Sequence, residues 1–459
     1  MAISTVSAEN YLRDASGYSG EAEQVFVPDT TAEVRELVQI CSAKGIPLTI
    51  SGAGTGLTGA RVPHGGYIVS LERFRKLEIE AGRARCGAGV LLRDLQAAAG
   101  RSRQFFGPNP TEDTACIGGI ISTNAGGARS FHYGSVRRHI LGLEVTFMDG
   151  RTVWLKRGDR VDFPITPIRL PATTKNSAGY YLQPDLEWVD LLAGSEGTLA
   201  IITEAELRLQ PEPGAILSGI VFFSADANAL DAIEAWRPLD ELRLLEYIDV
   251  NSLRLLRPHY LEIPDAAQAA LMIEQNLQSE EDPEVDAWTR RLSEHRAFEE
   301  ESWFGFRASD RERFRTFRHT LAAMVTDMAR RTGFSKFSTD LAVPVSRHRE
   351  LHAYYRQRCQ EVFPGKFTLF GHAGDANNHV NLLPATRQEA NRCEELMYEL
   401  AQHVVSLEGT VAAEHGIGKT KIELLKLMYS SDEIEAMKEV KRRLDPHWLL
   451  GRGNLFALA

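Results

Sequence analysis

Two segments near the C-terminal end carry residue types that could do chemistry: Gly371-His372-Ala373-Gly374-Asp375-Ala376-Asn377-Asn378-His379-Val380-Asn381 and Glu414-His415-Gly416-Ile417-Gly418-Lys419. His372, His379 and Glu414 are candidate ligands, and three N/O donors suit a divalent ion that keeps positions open for a substrate. His415, next to the carboxylate, could move a proton. His372 and His379 are seven residues apart and would face opposite ways on one continuous strand. Gly374-Asp375-Ala376-Asn377 reads as a turn between two short apolar strands, and that hairpin would bring the imidazoles together. On spacing alone, histidines that are merely hydrogen-bonded in a core hairpin fit as well.

What positions these residues must be read from the rest of the chain. Ser51-Gly52-Ala53-Gly54-Thr55-Gly56-Leu57-Thr58-Gly59 has four glycines in nine residues, so its backbone N–H groups can converge on a phosphate. Gly54-x-Gly56-x-x-Gly59 matches the dinucleotide fingerprint, but that fingerprint needs a helix to open at the loop. Ala60-Arg61-Val62-Pro63-His64-Gly65-Gly66 cannot make one. The expectation is a phosphate-binding loop without a nicotinamide-type Rossmann site. A tight structural turn is the alternative. Cys116-Ile117-Gly118-Gly119-Ile120-Ile121-Ser122-Thr123-Asn124-Ala125-Gly126-Gly127 and Gly194-Ser195-Glu196-Gly197-Thr198-Leu199 repeat the glycine-rich style. Three such loops within about 210 residues imply a large, extended cofactor lying across one domain.

The elements follow from periodicity. A short helix is expected within residues 1–30. Thr31–Lys44 repeats Val34, Leu37, Val38 and Cys41 on one helical face, with N-cap residues at Asp29-Thr30-Thr31. Strands are expected over 46–50, 67–71 and 83–90, a helix over 91–99, and a long functional loop over 107–127. Residues 141–147 and 152–155 read as a hairpin around Asp149-Gly150, and 199–202 as a further strand. Pro211–Pro213 is the best domain boundary. Beyond it come strands over 216–223, 242–248 and 270–274, helices over 227–236 and 311–331, and an acidic helical stretch over 279–302 that reads as a solvated face. This pattern predicts an α+β domain with an antiparallel sheet.

At 459 residues the chain is long enough for two or more domains. Its hydrophobic content of 43% and charged content of 25% are those of a globular protein. A net charge of -10 argues against nucleic acid as the main partner. Cys41, Cys86, Cys116, Cys359 and Cys393 include no C-x-x-C pair, which fits buried thiols in a reducing compartment. No apolar run reaches transmembrane length and the N-terminus lacks a secretory pattern, so the expected location is cytoplasmic, with room for peripheral contact with the inner membrane.

The three glycine-rich stretches resemble, in order, the FAD-binding domain of the vanillyl-alcohol oxidase/PCMH flavoprotein superfamily. The His372–His379 segment and Glu414-His415-Gly416-Ile417-Gly418-Lys419 resemble its FAD-linked oxidase C-terminal domain. Together they are similar to the D-lactate/D-2-hydroxyglutarate dehydrogenase and glycolate oxidase branch. The resemblance implies an α+β fold: a PCMH-type FAD-binding domain of two α+β subdomains over 1–212, a cap domain with an antiparallel sheet flanked by helices over 213–400, and a helical segment over 401–459 returning to the FAD domain. Ser51, Gly52, Ala53, Gly54, Thr55, Gly56 and Leu57 would surround the pyrophosphate. Gly118, Gly119, Ser122, Asn124 and Gly127 would follow the flavin and ribityl chain, and Glu196 and Ile201 would lie near the adenosine. The pyrophosphate loop contains neither histidine nor cysteine, so FAD is expected to be non-covalent, with His64 as the residue to check.

The resemblance also implies roles at the C-terminal site. His372, His379 and Glu414 would hold a divalent metal, zinc or manganese. His415 would be the base and Arg318 the partner of the substrate carboxylate, against the alternative of a surface arginine among Arg311, Arg313 and Arg315. A 2-hydroxy acid would chelate the ion and lose its hydroxyl proton to His415 and a hydride from Cα to flavin N5, giving a 2-oxo acid. The stretch Phe337–Arg347 favours D-lactate over D-2-hydroxyglutarate or glycolate. The electron acceptor would be a separate quinone, cytochrome, electron-transfer flavoprotein or oxygen, and a homodimer is compatible. A metal-free oxidase of another alcohol and an FAD-bearing subunit of a glycolate oxidase complex are the alternatives. The chain departs from the pattern at Ala376, where glycine is common, at Asn378, where an apolar residue is usual, and at Gly451, near the end. The first questions the turn, and the second would put a polar group close to the site.

Overall fold

The computed structural model describes residues 3–457. Three sheets carry the architecture. In the first, strands Leu48–Ser51 and Gln24–Phe26 flank Tyr67–Ser70 in parallel, with Thr5–Val6 antiparallel at the edge. The helix Thr31–Lys44 covers it and buries Val34, Leu37, Val38 and Cys41, the stripe that the periodicity predicts. Its start is fixed by the Thr30 side chain, which accepts from the Glu33 N–H at 3.3 Å, and its end by Gly45 at φ +65°.

The second sheet is antiparallel, in the order Leu77–Glu80, Arg83–Gly87, Ile201–Arg208, Ile140–Thr146, Thr152–Lys156. The third has seven antiparallel strands, in the order Trp303–Gly305, Ala215–Phe223, Ala269–Leu277, Leu242–Asp249, Phe367–His372, Asn377–Leu382, Phe337–Ser338. The long helix Ala308–Thr332 packs Phe314, Phe317, Leu321 and Val325 against one face of this sheet, where Ile220, Phe222, Ile248 and Phe370 receive them. The expected α+β class, with an antiparallel sheet in the part beyond residue 213, is therefore observed.

Some expectations change. The helix expected within 1–30 is one 3-10 turn, Glu9–Tyr11. The loop expected over 107–127 contains the helix Ile117–Ser122, because Ile117, Ile120 and Ile121 fall on one buried face and outweigh two helical glycines. The chain after Ser51 opens no helix up to Gly66, as the loop composition predicts. The C-terminal segment returns to the first sheet: Leu48 N–H donates to Leu449 O at 2.8 Å and Gly451 N–H to Leu48 O at 2.9 Å. The helix Arg387–Ser406 runs unbroken through residue 400. All five cysteines are free and buried.

Candidate active site

The hairpin forms as its turn residues require. Phe367–His372 and Asn377–Leu382 pair antiparallel, with His372 opposite Asn377 and His379 opposite Phe370, so both imidazoles stand on one face. Ala376, in the turn, adopts φ +51°. That left-handed conformation costs an L-residue roughly 1–2 kcal/mol. The fully buried Ala376 methyl packs in the main core, which offsets part of the cost. Asn378 does not approach the site. It points to the opposite face of the hairpin and donates from Nδ2 to His348 Nε2 at 3.0 Å.

Each histidine is held from behind by its Nδ1. His372 Nδ1–H donates to the Glu246 carboxylate, and His379 Nδ1–H donates to Thr339 O at 2.6 Å. Both therefore present Nε2 to the same point: His372 Nε2 lies 3.1 Å and His379 Nε2 3.7 Å from Glu414 Oε1. Ligand atoms of His372, His379 and Glu414 all lie within 4.8 Å of one another. The Glu414 carboxylate is divided, because Oε2 accepts from Gly127 N–H at 3.0 Å and from Lys175 Nζ at 3.1 Å. Burial opposes its charge, but Lys175 and His372 hold its pKa well below the usual carboxylate range. Two imidazoles oriented by outer partners, converging on one carboxylate oxygen, could hold a divalent metal ion.

A second grouping, Asp340, Glu414 and His415, is equally compact. Its carboxylate is already committed. Asp340 accepts from the Glu414 and His415 backbone N–H groups at 3.1 and 2.9 Å and from Lys421 Nζ at 2.9 Å. Asp340 thus fixes the backbone that presents Glu414 and His415. The His415 ring sits 3.6 Å from Asp340 Oδ2 and 3.7 Å from Glu414 Oε1 and keeps about a quarter of its side-chain exposure. Burial pushes its pKa down to about 4, against the pull of Asp340, so the ring is neutral at pH 7.

His415 and Glu414 line a cavity of about 280 Å³ together with the glycine loops. Of the residues expected to hold the cofactor, Ser51, Gly52, Ala53, Gly54, Thr55, Gly56, Leu57, Gly118, Gly119, Ser122 and Glu196 line it. Asn124, Gly127 and Ile201 do not. Asn124 bonds Arg137 N–H and Asn176 O, Ile201 is packed in the core under the first sheet, and Gly127 faces Glu414. Gly127, at φ +96°, lies so close to Asn109 that a Cβ would sit 2.0 Å from its carbonyl oxygen. Both Glu196 oxygens accept backbone N–H groups, from Ile417 and Gly418 at 2.7 Å each, which shapes the turn after His415. Burial still pushes Glu196 up to about 7. His64 does not line the cavity; its Nε2 meets Tyr18 OH at 3.2 Å. The Arg318 side chain keeps 12% of its exposure, so it is partly buried rather than a solvated surface arginine. Its Nε donates to Glu246 Oε2 at 2.8 Å and its guanidinium covers the Phe370 ring. Glu246 thus joins Arg318 to His372.

Sequence reading missed Lys175, Glu246, Thr339 and Asp340. Lys175 is 1% exposed and also lies 3.3 Å from Asp375 Oδ2. An isolated lysine among small residues, Thr173-Thr174-Lys175-Asn176-Ser177, was the one local signal.

A glycine-walled cavity beside two histidines, a carboxylate and a neutral histidine has room and chemistry for a cofactor-dependent oxidation, and comparison with known families shows a flavin-dependent oxidoreductase. Residues 215–455 match the FAD linked oxidases, C-terminal domain, and residues 22–156 match an FAD binding domain. The chain belongs to the FAD-linked oxidases. It is 30% identical over 441 residues to a D-lactate dehydrogenase of Archaeoglobus fulgidus, covering 94% of this chain and 90% of that one. It is 28% identical to the glycolate oxidase subunit GlcD of Bacillus subtilis, covering 97% and 92%. It is 29% identical to a D-2-hydroxyglutarate dehydrogenase of Xanthomonas citri pv. viticola, covering 98% and 92%. Among solved structures, an alkyldihydroxyacetonephosphate synthase superposes with a TM-score of 0.69 at 15% identity, covering 95% of this chain and 77% of that one, which shows a shared fold.

Proposed function

We propose that this protein oxidises a D-2-hydroxy acid, D-lactate foremost, to the 2-oxo acid, with non-covalent FAD and a divalent metal at His372, His379 and Glu414. The observation that carries this reading is the convergence of two Nε2 atoms and Glu414 Oε1 beside neutral His415, on the wall of the glycine-lined cavity. When bound, FAD accepts the electron pair leaving the substrate Cα, and a divalent zinc or manganese ion makes the substrate hydroxyl more acidic.

The chain's own residues supply the rest. His415 Nε2 takes the hydroxyl proton, and the low pKa imposed by burial keeps that nitrogen free to receive it. Asp340 fixes the His415 backbone, so the ring stays at the cavity wall. Arg318 has its Nε committed to Glu246, and its Nη groups remain for the substrate carboxylate, the pairing a planar fork favours. Lys175 keeps Glu414 ionised and turned so that Oε1 faces the histidines. The domain division 1–212, 213–400 and 401–459 belongs to the same proposal, as do a cytoplasmic location and a separate electron acceptor. No helix among the described residues is long and apolar enough to cross a membrane.

The test is anaerobic bleaching of the flavin absorbance with a panel of D- and L-2-hydroxy acids. D-Lactate is expected to bleach it and L-lactate to leave it oxidised. His415→Asn is expected to retain FAD and lose bleaching. Unchanged bleaching in that variant refutes the proposed base.

A further inference from the structure

The cavity that takes FAD has an unbalanced charge. Its ionisable lining residues include three acids, Glu112, Glu196 and Glu414, whereas Arg61 is the one lysine or arginine lining it among the described residues. A diphosphate brings more negative charge into that space. Backbone N–H dipoles of the Ser51–Leu57 loop meet it with partial charges, which leaves a place for a full positive charge.

Arg61 is built into the loop rather than beside it. Gly54 turns at φ +81°, and a Cβ there would sit 1.8 Å from Arg61 Nη1, so the guanidinium occupies the space a side chain would fill. Arg61 Nη2 donates to Asn10 O at 2.8 Å, and the group lies over the Tyr11 ring at 5.4 Å. Its Nε is buried and has no hydrogen-bond partner. A buried donor of a charged group left unpaired is costly, and an acceptor arriving with the ligand would remove that cost.

We infer that Arg61 is the counter-charge for the FAD diphosphate, seated behind Gly54 and held in place by Asn10 and Tyr11. The inference rests on the FAD reading of the cavity and concerns how tightly the cofactor is retained, not which substrate is oxidised. Arg61 is a cofactor-binding residue in this account and takes no part in proton transfer.

The test measures the FAD dissociation constant of the holoenzyme by flavin fluorescence across a salt series, with ADP and adenosine as competitors. Arg61→Gln is expected to weaken FAD by about 10- to 100-fold at low salt, as for loss of one charge-assisted hydrogen bond. It should also flatten the salt dependence and abolish the advantage of ADP over adenosine. Arg61→Lys, which keeps the charge, should recover part of the affinity and the salt slope. Tyr11→Leu, which loosens the support but keeps the charge, should leave the slope as in the wild type. The inference is overturned if Arg61→Gln binds FAD within about twofold of the wild type. It is equally overturned if affinity falls while the salt slope and ADP preference persist, because Arg61 would then only shape the loop.

Discussion

Glu246→Gln separates two effects that Glu246 would have on the proposed metal site. The carboxylate accepts His372 Nδ1–H and so orients Nε2 toward Glu414. Losing such an outer partner typically weakens metal binding by about 10- to 100-fold, or ~1.4–2.7 kcal/mol. The same carboxylate also stabilises protonated His372. Burial opposes the charge, yet Glu246 raises the His372 pKa to about 9. A metal needs Nε2 free of its proton. At pH 7 a group with that pKa is deprotonated in roughly one molecule in 100, a handicap of ~2.7 kcal/mol. The substitution removes both the orienting charge and most of the handicap, so at pH 7 the two nearly cancel.

The sign is therefore read from pH. In the wild type, metal affinity should rise about tenfold per pH unit from 7 and level off near 9. In Glu246→Gln the rise should end at lower pH. Above pH 9, where proton competition has vanished for both, the variant should be weaker by the full ~10- to 100-fold. The assay is competition with a chromophoric chelator on FAD-loaded enzyme, with thermal unfolding as a check that the fold is intact. Equal affinities above pH 9, or a wild-type affinity flat between pH 7 and 9, would refute the reasoning.

Two further outcomes test the buried charges. Lys175→Met keeps the volume but strands the Asp375 and Glu414 carboxylates that Lys175 meets at 3.3 and 3.1 Å. The expected loss is ~3–5 kcal/mol of unfolding free energy, read from the denaturant midpoint, and a change under ~1 kcal/mol rejects the role. Treatment with a strong chelator should stop D-lactate turnover while FAD stays bound, and zinc or manganese should restore it. An enzyme equally active with no metal detectable by elemental analysis sinks the ligand assignment.

Where sequence carried local information, it specified the structure closely. The helix Thr31–Lys44 combines an N-cap threonine, a buried stripe and a terminal glycine, all within one short window. His372 and His379 were legible because a turn and two apolar flanks sit between them. Lys175, Glu246 and Asp340 were not, because their partners lie 239, 126 and 75 residues away in the chain. No periodicity records a contact closed by tertiary packing. Asn378 illustrates the limit from the other side: next to His379 in sequence, it faces away because successive strand residues alternate.

The division of Glu414 explains why the parts on different sheets must fold together. Its Oε2 is fixed by Gly127, which follows the helix Ile117–Ser122, and by Lys175. Its Oε1 faces histidines on the seven-stranded sheet. Asp340, beyond that sheet's edge strand Phe337–Ser338, holds the Glu414 and His415 backbone, while Glu196 holds the turn that follows. Thr58 of the glycine loop completes the clamp, donating from Oγ1 to His415 O at 3.3 Å and accepting from Lys419 N–H at 2.8 Å. The segment carrying Glu414 and His415 is thus tied at once to the glycine loop Ser51–Gly59 and to the sheet that carries the histidines. A shift in either half moves His415 relative to both. In the proposed reaction that coupling would keep the proton acceptor and the electron acceptor in register, which transfer of a proton and a hydride from adjacent substrate atoms requires.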